Sequence, residues 1–243
     1  MLDWMRKLKQ EVYLVNNLAI IETILRNQRQ FFAEIKQRVN LGQKMKAMVI
    51  SSLIFFALHG AVMGSSHSVW QALSSAAKLP LLFLTTLVIC SPTLYFFNLL
   101  FGSDQSPTQH IVLVLTAITV TSVLLLSFSP IVLFFLLTTS HYQFFKLLNV
   151  AVFAAAGITG VVFLIRGTRL MSDPESEGTH TRQYVVYLWI VVYAFVGSQM
   201  AWTLRPFVGA PGLGFELFRQ LGGNFYANIF ASIGEILGFL TVR

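Results

Sequence analysis

The chain has 243 residues, of which 55% are hydrophobic and only 11% charged, with a mean hydropathy of +0.68. Soluble domains carry about 25% charged residues, so this balance excludes an ordinary water-soluble fold and makes lipid the solvent for most of the chain. The formal charge of +7 comes from 17 Lys and Arg against 10 Asp and Glu. Placed among apolar stretches, that basic excess suits an anionic membrane surface and not nucleic acid.

Residues 1–46 form a basic, polar arm. Within it Leu14, Leu18, Ile21, Leu25, Gln28, Phe32, Ile35 and Val39 recur at steps of four and three, a seam broken only by Gln28. The pattern predicts a long amphipathic helix that lies on the membrane or folds beneath the bundle, with a short self-associating coiled coil as the alternative. No short apolar core with a small-residue cleavage site precedes the first span, so that span is expected to direct its own insertion.

Crossing a bilayer takes roughly 20 apolar residues in a helix, because only an internally bonded backbone is stable in hydrocarbon. Five stretches qualify, from Ala47 to Gly64, Leu79 to Phe101, Ile111 to Leu137, Phe144 to Ile165 and Tyr184 to Leu204. The third contains Ser127, Phe128, Ser129 and Pro130, where a kink or break is expected. The single cysteine, Cys90, sits in an apolar run and is read as a packing residue. The expected fold is therefore all-α, a polytopic membrane bundle of about five helices over residues 47–204, flanked by the arm and by an outer segment over residues 205–243.

Lys and Arg placement sets the orientation. Nine precede the first span, and Arg166, Arg169 and Arg182 bring the arm's side to twelve of 17, against five on the other side. The N-terminus is thus expected in the cytoplasm and the C-terminus across the membrane. Residues 224–242 carry Tyr226, Ile229, Ile233, Leu237 and Leu240 as an apolar stripe, with Asn228, Ser232 and Glu235 on another side. That pattern predicts an interfacial helix, a sixth span being the alternative.

None of the ten acidic residues falls in the five spans, which counts against proton relays, cation pathways and intramembrane aspartyl proteases. The chain has no GxxxxGK[ST] loop and no HExxH pair. Gly64, Ser65, Ser66 and His67 put hydroxyls beside an imidazole, but at a helix exit, and are read as polar exit residues and not as a catalytic set. No catalytic residue and no metal site is assigned. His59 lies well inside the first span and precedes Gly60. It is a candidate ligand for a haem or chlorin, with His67 or His141 on the same side; the ordinary alternative is a bond to a neighbouring helix, such as the one bearing Ser198 and Gln199. Thr116, Thr119, Ser122, Asn149, Ser198 and Gln199 are the side chains from which an oligomeric channel or transporter would line a path.

Small residues mark helix contacts. Ala156 and Gly160 in the fourth span, and Gly197 and Ala201 in the fifth, have small-xxx-small spacing, and these two spans are expected to pack on each other. The fifth ends in Trp202 and Arg205, which suit interface anchors, and Pro206 prevents its continuation. The following segment is either a surface turn or a folded lid, with Arg205 able to pair with Glu216.

A basic arm, a first span, a kinked middle span and a fifth span ending in WTLRPFVGAP (residues 202–211) resemble a family of bacterial, mainly photosynthetic-bacterial, membrane proteins of unknown function, over nearly the whole chain. In topology the chain is also similar to the five-span Yip1 family. That likeness implies a cytoplasmic N-terminus and a part in membrane organisation without catalysis, here in a bacterial inner or internal photosynthetic membrane. Arg29 to Lys46, reading RQFFAEIKQRVNLGQKMK, is similar to the actin-binding WH2 motif, with Leu41, Gly42, Gln43 and Lys44 where that motif has its LKK core. The extended part of the motif would run straight into the first span, so actin is not an expected partner. The expected partners are the bilayer and either other membrane proteins or a second copy of the chain. The expected role is non-enzymatic organisation of membrane components, with a channel or transporter and a His59 haem or pigment protein as alternatives.

Overall fold

A computed structural model describes residues 18–100, 105–139, 141–171, 179–209, 212, 214–219 and 222–237, without the side chains of residues 179–183. Leu14 and Leu240 of the expected stripes lie outside the described residues, as does the side chain of Arg182. The described residues are helices joined by turns, with no strand. Residues 18–26 form α1, followed by α2 (Gln28–Lys36), α3 (Leu41–Gly64), α4 (Val69–Leu100), α5 (Pro107–Thr138), α6 (Tyr142–Met171), α7 (Thr179–Thr203) and α8 (Phe225–Ile236). Five of these, α3 to α7, are long and apolar enough to cross a membrane, which fits a multi-pass membrane protein.

Local chemistry moves several boundaries away from the hydropathy limits. Ser68 accepts a bond from the Gln71 amide at 3.2 Å, so α4 starts at Val69, ten residues before the expected Leu79. Lys78 is thereby drawn inside a helix. Ser106 and Gln109 form a reciprocal capping box ahead of α5, with Pro107 in its first turn. Of the kink or break expected at Pro130, the break does not occur, and α5 runs on to Thr138. Hydroxyls of Ser127 and Ser129 bond back to the Val123 and Leu125 carbonyls within the same helix.

Residue pairs give the packing directions. Carbons added at Gly60 and Gly64 would run into the backbone at Ser75 and Gln71, at 2.8 Å from Ser75 C and 2.7 Å from Ala72 Cα, so α3 and α4 are antiparallel and in near backbone contact. On its other side α3 runs parallel to α5, because Met48 meets Thr116, Ser52 meets Thr119 and His59 meets Ser129 in nearly constant register. Antiparallel packing of α6 on α5 follows from Gly160 against Ala117 and Ala156 against Thr121. At the centre Phe56 stacks on Phe83 of α4, which in turn lies against Phe153 of α6.

The expected joint between the fourth and fifth spans is replaced by two others. Gly160 faces α5, while α7 packs mainly on α4, where Trp189 donates to the Cys90 carbonyl at 2.8 Å and Gly197 lies opposite Thr86. Small-residue spacing permits close approach without naming the partner, and the short turn after α5 delivers α6 to it first. Cys90 is buried in the core, as expected.

The arm also departs from a single seam. The chain breaks at Asn27 (φ −126°, ψ 55°), so α2 is not in phase with α1. Ile21, Ile24, Phe31, Phe32 and Ile35 are buried, while Leu18, Leu25 and Val39 of the expected seam are exposed. Beneath the bundle, Phe32 wedges against Gly167, where an added Cβ would lie 2.5 Å from its ring, and Gln109 Nε2 donates to the Ile35 and Lys36 carbonyls.

The described part of α8 has 12 residues, about 18 Å at 1.5 Å per residue, well short of the roughly 30 Å hydrocarbon core. It lies along α6 and the end of α7. Gln143 donates to Glu235 at 2.7 Å, Lys146 to Asn228 at 3.0 Å, and Ser198 meets Tyr226 at 3.0 Å. Its polar side therefore faces the protein, whereas Phe230, Ile233 and Leu237 are exposed.

Candidate functional site

His59 is fully buried. Its Nδ1 lies 2.8 Å from Ser129 Oγ, and that hydroxyl already donates to the Leu125 carbonyl at 3.1 Å. With Ser129 donating to Leu125, Nδ1 would be the donor in the His59–Ser129 pair. Nε2 is buried with no hydrogen-bond partner among the described residues, beside the Phe153 ring, whose centroid is 5.7 Å from that of the imidazole. Gly60 does admit close approach, but to the α4 backbone at Ser75 and not to a macrocycle. The helix that bonds His59 is α5; Ser198 and Gln199 stand on α7.

The six polar residues of the channel reading do not line one path. Thr116, Thr119 and Ser122 are buried between α5 and α3, Asn149 bonds to the Phe145 carbonyl of its own helix, and Ser198 bonds to Tyr226. Gln199 is half-buried. At the exit of α3, Ser65 and Ser66 donate to the Val62 and Met63 carbonyls, which leaves no hydroxyl proton for His67 to take. His67 instead lies against Gly209.

The richest polar assembly is a cap built after α7. Arg205 stacks on Trp202 at 3.4 Å and donates to the Gly222 carbonyl. Burial and the neighbouring Arg219 push its guanidinium pKa down. Glu216 is bound by Arg219 at 3.0 Å in place of the expected pair with Arg205. Carbonyls in this segment then turn onto α4: Pro206 O accepts from Gln71 at 2.8 Å and Lys78 at 3.3 Å, Phe207 O accepts from Ser75 at 2.6 Å, and Leu217 O accepts from Lys78. The Lys78 ammonium also lies 4.8 Å from the Phe218 ring centroid. Two carbonyls and an aromatic face thus satisfy a buried cation that has no carboxylate partner among the described residues. Described residues of this segment thus lie over the α3–α4 end, where we call them the lid.

On the opposite face the arm makes a second assembly. Glu34 pairs with Lys44 at 2.9 Å, and Lys44 also donates to the Val39 carbonyl at 2.9 Å. The Lys44 hydrogen bond holds the Glu34 carboxyl below its ordinary pKa. Arg38 and Asn40 take left-handed conformations that turn the chain from α2 into α3. Residues 41–46 of the WH2-like stretch are the first turns of α3 and not an extended segment.

His59 was legible as a buried polar residue; Lys78, Gln71 and Gln109 were missed. Gly60 and Gly64 form a GxxxG signal that would have located the α3–α4 contact. No family model, curated protein or solved structure matches the chain.

Proposed function

We propose that this chain is a non-enzymatic integral membrane protein that organises or assists other membrane components through folded surfaces at its two ends. The observation that supports this most is where the polar groups are used. Within the long helices several of them bond across helix contacts and others back to their own backbone, whereas at the ends they fix two shaped assemblies, the lid on Lys78 and the arm on Gln109 and Gly167. Groups committed in this way define surfaces and leave no set of convergent reactive side chains among the described residues. The distribution of Lys and Arg supports the arm on the cytoplasmic side and the lid across the membrane. The resemblance to bacterial five-span proteins favours an inner or internal photosynthetic membrane.

A photo-crosslinking residue placed at Leu25 on the arm, Leu217 on the lid and Leu188 on α7, all exposed, tests the reading in native membranes. Discrete protein adducts are expected from Leu25 or Leu217, and lipid adducts from Leu188. Lipid adducts alone at all three positions would refute it.

A further inference from the structure

We propose that the cavity between the arm and the start of α3 binds a zwitterionic amine–phosphate headgroup, that of a phosphatidylethanolamine in the leaflet on the arm's side. The cavity is half-open, holds about 240 Å³, and is walled by Ile20 and Thr23 of α1, Glu34 of α2, and Asn40, Gln43 and Lys44 where α3 begins. Drug-sized ligands take about 300 to 1,000 Å³, so this volume suits a headgroup-sized fragment. Its position is where the first long helix begins, the level at which headgroups meet a membrane protein.

The charge pattern selects the ligand. Lys44 is 8% exposed and Glu34 31%, and the two are in contact at 2.9 Å. An ammonium has three donors; Glu34 and the Val39 carbonyl take two, leaving one for a phosphate oxygen. Glu34 accepts from Lys44 and from Gln30 at 3.1 Å, and a carboxylate offers about four acceptor sites, enough to take a primary ammonium as well. A simple anion would be repelled by Glu34, and a simple cation by Lys44. A zwitterion satisfies both. The carboxamides of Asn40 and Gln43 can donate to phosphate or accept from ammonium, and Ile20 offers an apolar wall to the lipid's glycerol end.

The test uses the full chain in mild detergent, with retained lipid counted by native mass spectrometry. Phosphatidylethanolamine should bind on the order of tenfold tighter than phosphatidylglycerol or phosphatidylcholine, the effect of one charge-assisted hydrogen bond. Glu34→Gln should abolish the preference over phosphatidylglycerol. Thr23→Leu should fill the cavity and abolish binding while leaving the Glu34–Lys44 pair intact, and its unfolding midpoint shows that the fold is kept. Soluble glycerophosphoethanolamine separates the sources. Competition at millimolar concentration supports a site that also takes the free headgroup, and selective lipid retention without competition supports the membrane lipid. Equal retention of the three lipids, or a preference unchanged in a folded Thr23→Leu protein, would overturn the proposal.

Discussion

Gly157 and Gly160 stand three residues apart on α6, so the same substitution at each compares two environments on one helix. A Cβ at Gly157 meets nothing within 4 Å, whereas at Gly160 it lies 2.7 Å from the Ala117 carbonyl oxygen and closer still to Thr121 Oγ1. Ordinary contact begins at 3.4 Å, and a backbone oxygen cannot rotate away, so α5 and α6 must part by several tenths of an ångström. Overpacking of this kind costs about 1 to 3 kcal/mol, while replacing a helix-interior glycine by alanine returns about 0.5 to 1 kcal/mol. Gly157→Ala should therefore be neutral or stabilising by up to about 1 kcal/mol, and Gly160→Ala destabilising by up to about 2.5 kcal/mol. Gly160→Leu should cost more. Unfolding in mixed micelles, followed by circular dichroism, gives the midpoints. Shifts of the same sign and size at both positions would refute the α5–α6 contact.

Three further outcomes follow from the two ends of the bundle. Lys78→Met leaves the Leu217 carbonyl without its donor, a loss of about 1 to 3 kcal/mol, so amide exchange over residues 205–219 should accelerate; unchanged exchange would separate the lid from Lys78. Because the Glu34 pKa is lowered in the folded state, its contribution is complete above the ordinary value of 4.5 and is lost as pH falls from there through the lowered value. Accessibility of a cysteine at Ile35 should accordingly rise on acidification, and Glu34→Gln should flatten that profile; an identical pH response in both proteins would exclude the pair as its cause. Cysteines placed near the two ends of the chain should show opposite accessibility in intact cells, and labelling of both from one side would require an even number of crossings.

The five long helices were visible in the sequence because hydrocarbon tolerates so few backbone arrangements that length and apolarity nearly suffice. Their starts were not, since a cap such as Ser68 acts through one hydroxyl that hydropathy averages away. The arm shows a different limit. A spacing of threes and fours assumes one continuous helix, and a single non-helical residue at Asn27 resets the phase, burying Ile24 and Phe31 where Leu25 was expected.

Polar residues in the apolar segments were read from sequence as either functional or structural, yet the decisive quantity is which group lies opposite. Lys78 looked like a loop residue, because a lone cation inside a helix of this kind costs too much to leave unmet. Its acceptors, the Pro206 and Leu217 carbonyls, lie more than 120 positions away along the chain, and carbonyls have no residue signature. His59 shows the opposite case: its type suggests a ligand, while its ring meets the Ser129 hydroxyl and Nε2 is buried without a hydrogen-bond partner among the described residues. In both cases the backbone decides, by supplying acceptors to Lys78 and by approaching Gly60 beside His59. A sequence names the side chains that need partners in lipid; only the register between helices tells which of those needs is met by main chain.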